Sequence, residues 1–92
     1  MKYYLDQCEE LLKIRGYSPR TVKTYLSCLK EYFAFAQGDV GRLKVGEIKR
    51  FLLSKQEQDY AASTLNLYLN SILFFYRKVM KVRVKIDLKF SK

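Results

Sequence analysis

Histidine and tryptophan are absent from this 92-residue chain, proline occurs once, glycine four times and cysteine twice. Each scarcity removes a class of explanation. With no histidine and no CxxC pair, the chain lacks the usual donor sets for a bound metal, and no metal or other cofactor is expected. Cys8 and Cys28 fall on predicted helices, and no signal peptide precedes them. They read as reduced core thiols in a cytoplasmic protein rather than as a disulfide framework. The longest uninterrupted apolar run, Ile72 to Tyr76, falls far short of the roughly 18 residues of a membrane span, so no membrane partner is expected.

What the chain does have is hydrophobic substance and positive charge. Hydrophobic residues make up 49% and aromatic residues 15%, sufficient to bury one core without staples. The length allows one domain and no second. The net charge is +9, of which residues 77–92 carry +6 and the first 76 residues only +3. A basic domain with a more basic tail suits a polyanion, most often nucleic acid. Charge alone leaves open the plainer alternative of a protein that is basic for solubility.

Four helical patterns follow one another. Residues 2–15 place Tyr4, Leu5, Cys8, Leu11, Leu12 and Arg15 on one face, and Gly16 stands where a left-handed residue ends a helix. Ser18 is the expected N-cap of the second helix, with Pro19 at its first position. That helix runs to about Gln37 and should bury Val22, Tyr25, Leu26, Leu29, Phe33 and Ala36. Its other side carries Arg20, Thr24, Ser27 and Glu31, flanked by Lys23 and Lys30. The third helix, about 45–58, should bury Ile48, Phe51 and Leu52 and show Lys49, Arg50 and Lys55 to water.

The fourth helix, Ser63 to Met80, organises the rest. Leu65, Tyr68, Leu69, Ile72, Tyr76 and Val79 form one stripe, while Leu67, Leu73 and Phe74 fall outside it. A helix apolar on more than one side is usually packed on both flanks. The favoured account of the three outliers is cover by the first helix or the tail; the alternative is an exposed sticky patch. The stretch Thr21 to Leu29 also echoes Thr64 to Ile72 at a constant offset of 43 residues. Two copies of one pattern predict two similar helix pairs around a common core, with Leu26 and Leu69 both deeply buried. By the repeat, Ala61 stands where Ser18 stands, leaving Ser63 to cap the fourth helix or its end to fray. After Met80 the period changes: Lys81 to Phe90 alternates polar and apolar residues, the pattern of an extended segment.

The succession Gly16-Tyr17-Ser18-Pro19-Arg20-Thr21, Tyr25 through Phe33, then Ser63-Thr64-Leu65-Asn66 followed by Leu69, Ile72, Phe75 and Tyr76 resembles the amino-terminal core-binding (SAM-like) domain of phage integrases and other tyrosine recombinases. The resemblance covers roughly residues 3–80. It departs from the family pattern at Lys44-Val45-Gly46-Glu47, where a hydroxyl cap and acidic pair are usual, and in lacking an Asn-Pro after the fourth helix. It implies an all-α, compact four-helix bundle over residues 1–80, with an extended basic tail, 81–92, as the linker to a catalytic domain. It also implies a role: one half of a clamp on double-stranded recombination-site DNA, with the chemistry done by that carboxy-terminal domain and neighbouring protomers as further partners on DNA. The tyrosine nucleophile and its Arg, Lys and His partners would lie there, so this chain alone is not expected to be an enzyme. Tyr25, Tyr68 and Tyr76 lie on buried stripes and read as core.

The expected DNA contacts come from two helix faces. On the second helix, Arg20, Lys23 and Lys30 reach phosphates or guanine edges, and Thr24 and Ser27 let the backbone approach. Ser18 and Thr21 sit at its N-terminal amides, a weak phosphate site. On the fourth helix, Ser63, Asn66, Asn70 and Arg77 line the equivalent face; asparagine can read adenine through two hydrogen bonds. Each set could equally be a solvated helix face. Two rival classes remain: a helical protein–protein module with an incidentally basic surface, and a stand-alone helix-turn-helix regulator. The long loop around residues 38–44 argues against the second.

Overall fold

Ser18 opens its helix as the sequence predicts. Its backbone is extended (φ −64°, ψ 153°), its Oγ accepts from the Thr21 amide at 3.2 Å, and Pro19 takes the first helical position. The computed structural model describes residues 2–86 and residue 88. In it, α1 spans Lys2–Ile14, α2 Pro19–Phe35, α3 Val45–Glu57 and α4 Ala62–Phe74, and α4 continues into a π-helical turn, Phe75–Val79. No strand occurs among the described residues. The all-α, four-helix reading therefore holds.

The repeat seen over nine residues extends through the whole bundle. α1 and α3 begin and end 43 positions apart, as do the starts of α2 and α4. The connections match too. Gly16 and Asp59 are both left-handed (φ 81° and 64°). Around them Gly16 N–H bonds Lys13 O at 3.0 Å and Tyr17 N–H bonds Leu12 O at 3.1 Å, while Asp59 N–H bonds Gln56 O at 3.0 Å and Tyr60 N–H bonds Lys55 O at 3.3 Å. Each pair closes its first helix with the same hydrogen-bonded motif. Past the second helix of each pair, Gly38 and Lys81 are again both left-handed (φ 79° and 56°).

α4 is the centre. It packs on α2 and α3, and its π-helical extension reaches α1. It buries Leu65, Tyr68, Leu69, Ser71, Ile72 and Phe74, followed by Phe75 and Tyr76. Leu67 and Leu73 are half-buried against the core, and Phe74 is buried with Leu12 and Val22. Cover by the first helix, the favoured account, thus holds for Phe74, while Leu67 and Leu73 stay partly open to solvent. Ser71, the repeat mate of Cys28, is fully buried and its Oγ donates to the Tyr68 carbonyl at 2.8 Å, while burial pushes the Cys28 thiol up.

The structure corrects several expectations. α1 and α3 end one residue earlier than predicted, and α2 ends at Phe35, because Gln37 and Gly38 both turn left-handed. The fourth helix loses regular α geometry at Phe74; Met80 N–H bonds Phe75 O at 3.0 Å, five residues back. Ser63 is not its cap. Ala61 takes that place with φ −65° and ψ 153°, nearly the angles of Ser18, and offers no side-chain bond. Lys44 caps α3 equally bare, while its ammonium pairs with Asp39. Tyr25 and Leu26 are half-buried rather than buried. Leu26 borders an open cleft between α1 and α2, rimmed by Lys13 and Lys23, whereas Leu69 sits in the main core at 6% exposure.

Lys55 is the largest departure. Only 14% of its side chain meets water. It is turned inward, where Nζ lies 5.6, 5.3 and 5.4 Å from the ring centres of Phe51, Tyr60 and Tyr68 and bonds Glu31 at 2.8 Å. Three electron-rich ring faces and a carboxylate compensate the desolvation of the ammonium.

Candidate nucleic-acid interface

The long polar side of α2 is made by helical spacing. Arg20, Lys23, Ser27 and Lys30 are exposed, and Thr21 and Thr24 are half-buried beside them. The hydroxyls serve the helix first. Ser18 Oγ donates to Thr21 Oγ1 at 3.0 Å, and Thr24 Oγ1 donates to the Arg20 carbonyl at 2.9 Å. Ser18 already occupies the Thr21 amide, which leaves the Arg20 amide as the open N–H of the first turn, since Pro19 has none.

Among the described residues, several cations elsewhere are paired, while others, Lys49 on α3 among them, are not. Lys2 and Lys13 on α1 pair with Asp6 and Glu9, and Arg50 and Lys55 pair with Glu47 and Glu31. Among the described residues, no carboxylate lies within ion-pair distance of Arg20, Lys23 or Lys30. Glu31, which the sequence puts at the end of the same face, is turned away. It accepts from Lys55 Nζ and, at 2.9 Å, from Tyr68 Oη. Burial alone would raise its carboxyl, but these two bonds outweigh it and hold the group below its ordinary range. The acid on this face is therefore engaged by Lys55 and Tyr68 at the edge of the bundle, although its side chain remains 43% exposed.

The second predicted set is chemically unlike the first. Ser63, Asn66, Asn70 and Arg77 are all exposed, the first three on α4 and Arg77 in the π-helical turn. Ser63, Asn66 and Asn70 stand at the places that Arg20, Lys23 and Ser27 hold in the first pair. The repeat has kept the geometry and dropped the charge. Among the described residues no hydrogen bond joins the α2 set to the α4 set. Each is a separate helix face.

Sequence reading missed where Arg77 points. Its Nη2 donates to the Val84 carbonyl at 2.9 Å, and Val84 is buried at 5% exposure. The chain reverses after the π-helical turn, so Arg83 and Lys85, both exposed, flank the acceptor of Arg77. The two-residue alternation signalled a buried Val84; nothing in it signalled the bond. Of the tail, Asp87 and residues 89–92 lie outside the described residues.

Tyr68 and Tyr76 serve as core. Tyr76 Oη donates to the Val40 carbonyl at 2.9 Å, and Tyr68 Oη to Glu31. Burial raises the phenols of both well above their ordinary range, aided at Tyr68 by the Glu31 carboxylate and at Tyr76 by the neighbouring Tyr32. A phenol held neutral and bonded inward is a poor nucleophile. Among the described residues no three metal-ligating side chains gather, and no helix is long and apolar enough to cross a membrane.

Comparison with known proteins agrees with this architecture. The profile of the family described as "Phage integrase, N-terminal SAM-like domain" matches residues 4–86. Two curated relatives, each named "Tyrosine recombinase XerC", come from Lacticaseibacillus casei strain BL23 and Lacticaseibacillus paracasei strain ATCC 334. Each is 30% identical over 82 residues, covering 83% of this chain but only 28% of the relative. No solved structure gives a significant match.

Proposed function

Because this chain belongs to the phage integrase N-terminal SAM-like domain family, we propose that it grips duplex DNA as the core-binding half of a tyrosine recombinase's clamp. Strand cleavage and rejoining would be done by a further catalytic domain, consistent with the small share of its curated relatives that the chain spans. In this reading α2 supplies the main grip. Arg20, Lys23 and Lys30 contact phosphates, Ser18, Thr21, Thr24 and Ser27 let the helix approach closely, and Ser63, Asn66, Asn70 and Arg77 extend the contact from the second helix pair. The observation that carries it is that Arg20, Lys23 and Lys30 stand exposed along one side of a single helix with no carboxylate within ion-pair distance among the described residues. A basic helix face whose acid, Glu31, is already paired with Lys55 suits a phosphate backbone.

The test compares two charge-matched variants by fluorescence anisotropy on a short duplex. One carries Lys23→Glu with Lys30→Glu; the other carries Arg42→Glu with Lys49→Glu, both exposed and outside the proposed face. Lys55 is unsuitable for the control because its side chain is internal. The α2 variant is expected to bind far more weakly than the control. Equal binding by the two would leave only a diffusely basic protein.

A further inference from the structure

The chain leaves each helix pair in the same way, and the difference between the two exits points to a device. After α2 a left-handed Gly38 turns the chain back, Val40 is fully buried, and its carbonyl accepts from Tyr76 Oη at 2.9 Å. After the π-helical turn a left-handed Lys81 turns the chain back, Val82 N–H bonds Tyr76 O at 2.9 Å, Val84 is buried, and its carbonyl accepts from Arg77 at 2.9 Å. The first fold-back is fastened by a neutral hydroxyl that is itself buried. The second is fastened by a surface guanidinium, and the bond takes one of its five N–H groups.

We propose that Arg77 is a latch holding the segment after the fourth helix against the bundle, and that it releases this segment when its guanidinium takes a DNA phosphate. The proposal rests on the DNA-binding reading above. The competition is uneven in the right direction. A peptide carbonyl is a neutral acceptor, whereas a phosphate offers guanidinium two charge-assisted bonds in a matching planar geometry. Exposed Arg83 and Lys85 flank the latched carbonyl, so a phosphate drawn to them arrives beside Arg77. Once the bond to Val84 is lost, only the apolar contacts of Val84 and of the half-buried Ile86 and Leu88 remain to keep the segment down, with no polar side-chain tie among the described residues. DNA engagement and the exit direction of the chain are thereby coupled, and any part of a longer protein following this segment would be repositioned only on DNA.

The Val82 amide reports the latch, because its bond to Tyr76 O exists only while the segment is folded back. Hydrogen exchange by NMR on the free chain should show this amide exchanging at least about tenfold faster in Arg77→Gln than in the parent, the scale of a lost bond from a charged donor. The amides of Leu29 and Ile72 should keep their parent protection. Lys78→Gln, an equal loss of charge at the adjacent exposed position, should leave Val82 unchanged. Adding a short duplex to the parent should accelerate Val82 toward its rate in Arg77→Gln. Parent-like protection in Arg77→Gln overturns the latch. Duplex binding, seen by anisotropy, with Val82 unmoved overturns the coupling alone, and no duplex binding at all overturns the DNA reading together with the coupling.

Discussion

Lys55 and Glu31 form their 2.8 Å ion pair at the two places that Leu12 and Phe74 occupy in the other half of the molecule. The surroundings repeat as well. Tyr17 and Tyr25 meet edge to face at 5.7 Å beside Phe74, and Tyr60 and Tyr68 meet at 6.1 Å beside Glu31. One copy of the cluster is apolar, with Leu12 and Phe74 both buried. The other holds a cation among three rings and a carboxylate at its edge. The charged copy ties α2, α3 and α4 together and keeps Glu31 off the α2 face.

Restoring the apolar pattern should therefore be tolerated. Lys55→Leu with Glu31→Phe would restore the Leu12–Phe74 residue pair and should melt close to the parent temperature, since the Lys55 ammonium is desolvated and a partner 43% exposed returns little net ion-pair energy. Glu31→Phe alone should cost about 1–3 kcal/mol by leaving the Lys55 ammonium without its carboxylate. If the double variant is less stable than both single variants, the two clusters are not equivalent.

The unequal burial of Leu26 and Leu69 makes a second prediction. Leu69→Ala should cost about 2–5 kcal/mol, the range for a buried leucine. Leu26→Ala should cost clearly less, because that side chain already meets water at the α1–α2 cleft. Thermal melts of the two variants check the order.

Stability should fall on both sides of a plateau. The Glu31 carboxyl sits below its ordinary 4.5 in the folded chain. Its contribution is therefore present above that value and is lost as pH falls through the folded pKa. At the other end, burial pushes the Cys8 thiol from 9.0 up to about 12. The unfolded chain ionises first, so stability declines as pH rises from about 9 toward 12. Melting temperature against pH should show both limbs; Glu31→Gln should flatten the acid limb, and Cys8→Ala should lessen the alkaline one near its onset, leaving the part due to Cys28 and the buried tyrosines.

DNA affinity should be weak and largely independent of sequence, since half of a clamp makes only half of the phosphate contacts. Neutralising about 4–6 phosphates gives a log–log salt slope near −4 to −5. Removing Lys23 and Lys30 should reduce that slope by about 2. A slope unchanged in that variant would place the contacts elsewhere on the surface.

By itself, the sequence determined the helices, the caps at Gly16 and Ser18, and the 43-residue repeat. These follow from local rules: apolar spacing, a hydroxyl that caps, a residue that turns left-handed. It also singled out Arg20, Lys23, Ser27 and Lys30, because their spacing puts them on one helix side and no apolar residue competes for it. Only the tertiary structure decided how charge is shared between inside and outside. Lys55 looks like a surface residue in its own helix, but it is one side chain long enough to cross from α3 to Glu31 and meet rings from two other segments. Arg77 likewise has the spacing of a surface residue and finds Val84 only because Lys81 reverses the chain. Both depend on contacts between segments distant in sequence or on a turn that residue type does not encode, since lysine has no preference for the left-handed backbone that Lys81 adopts.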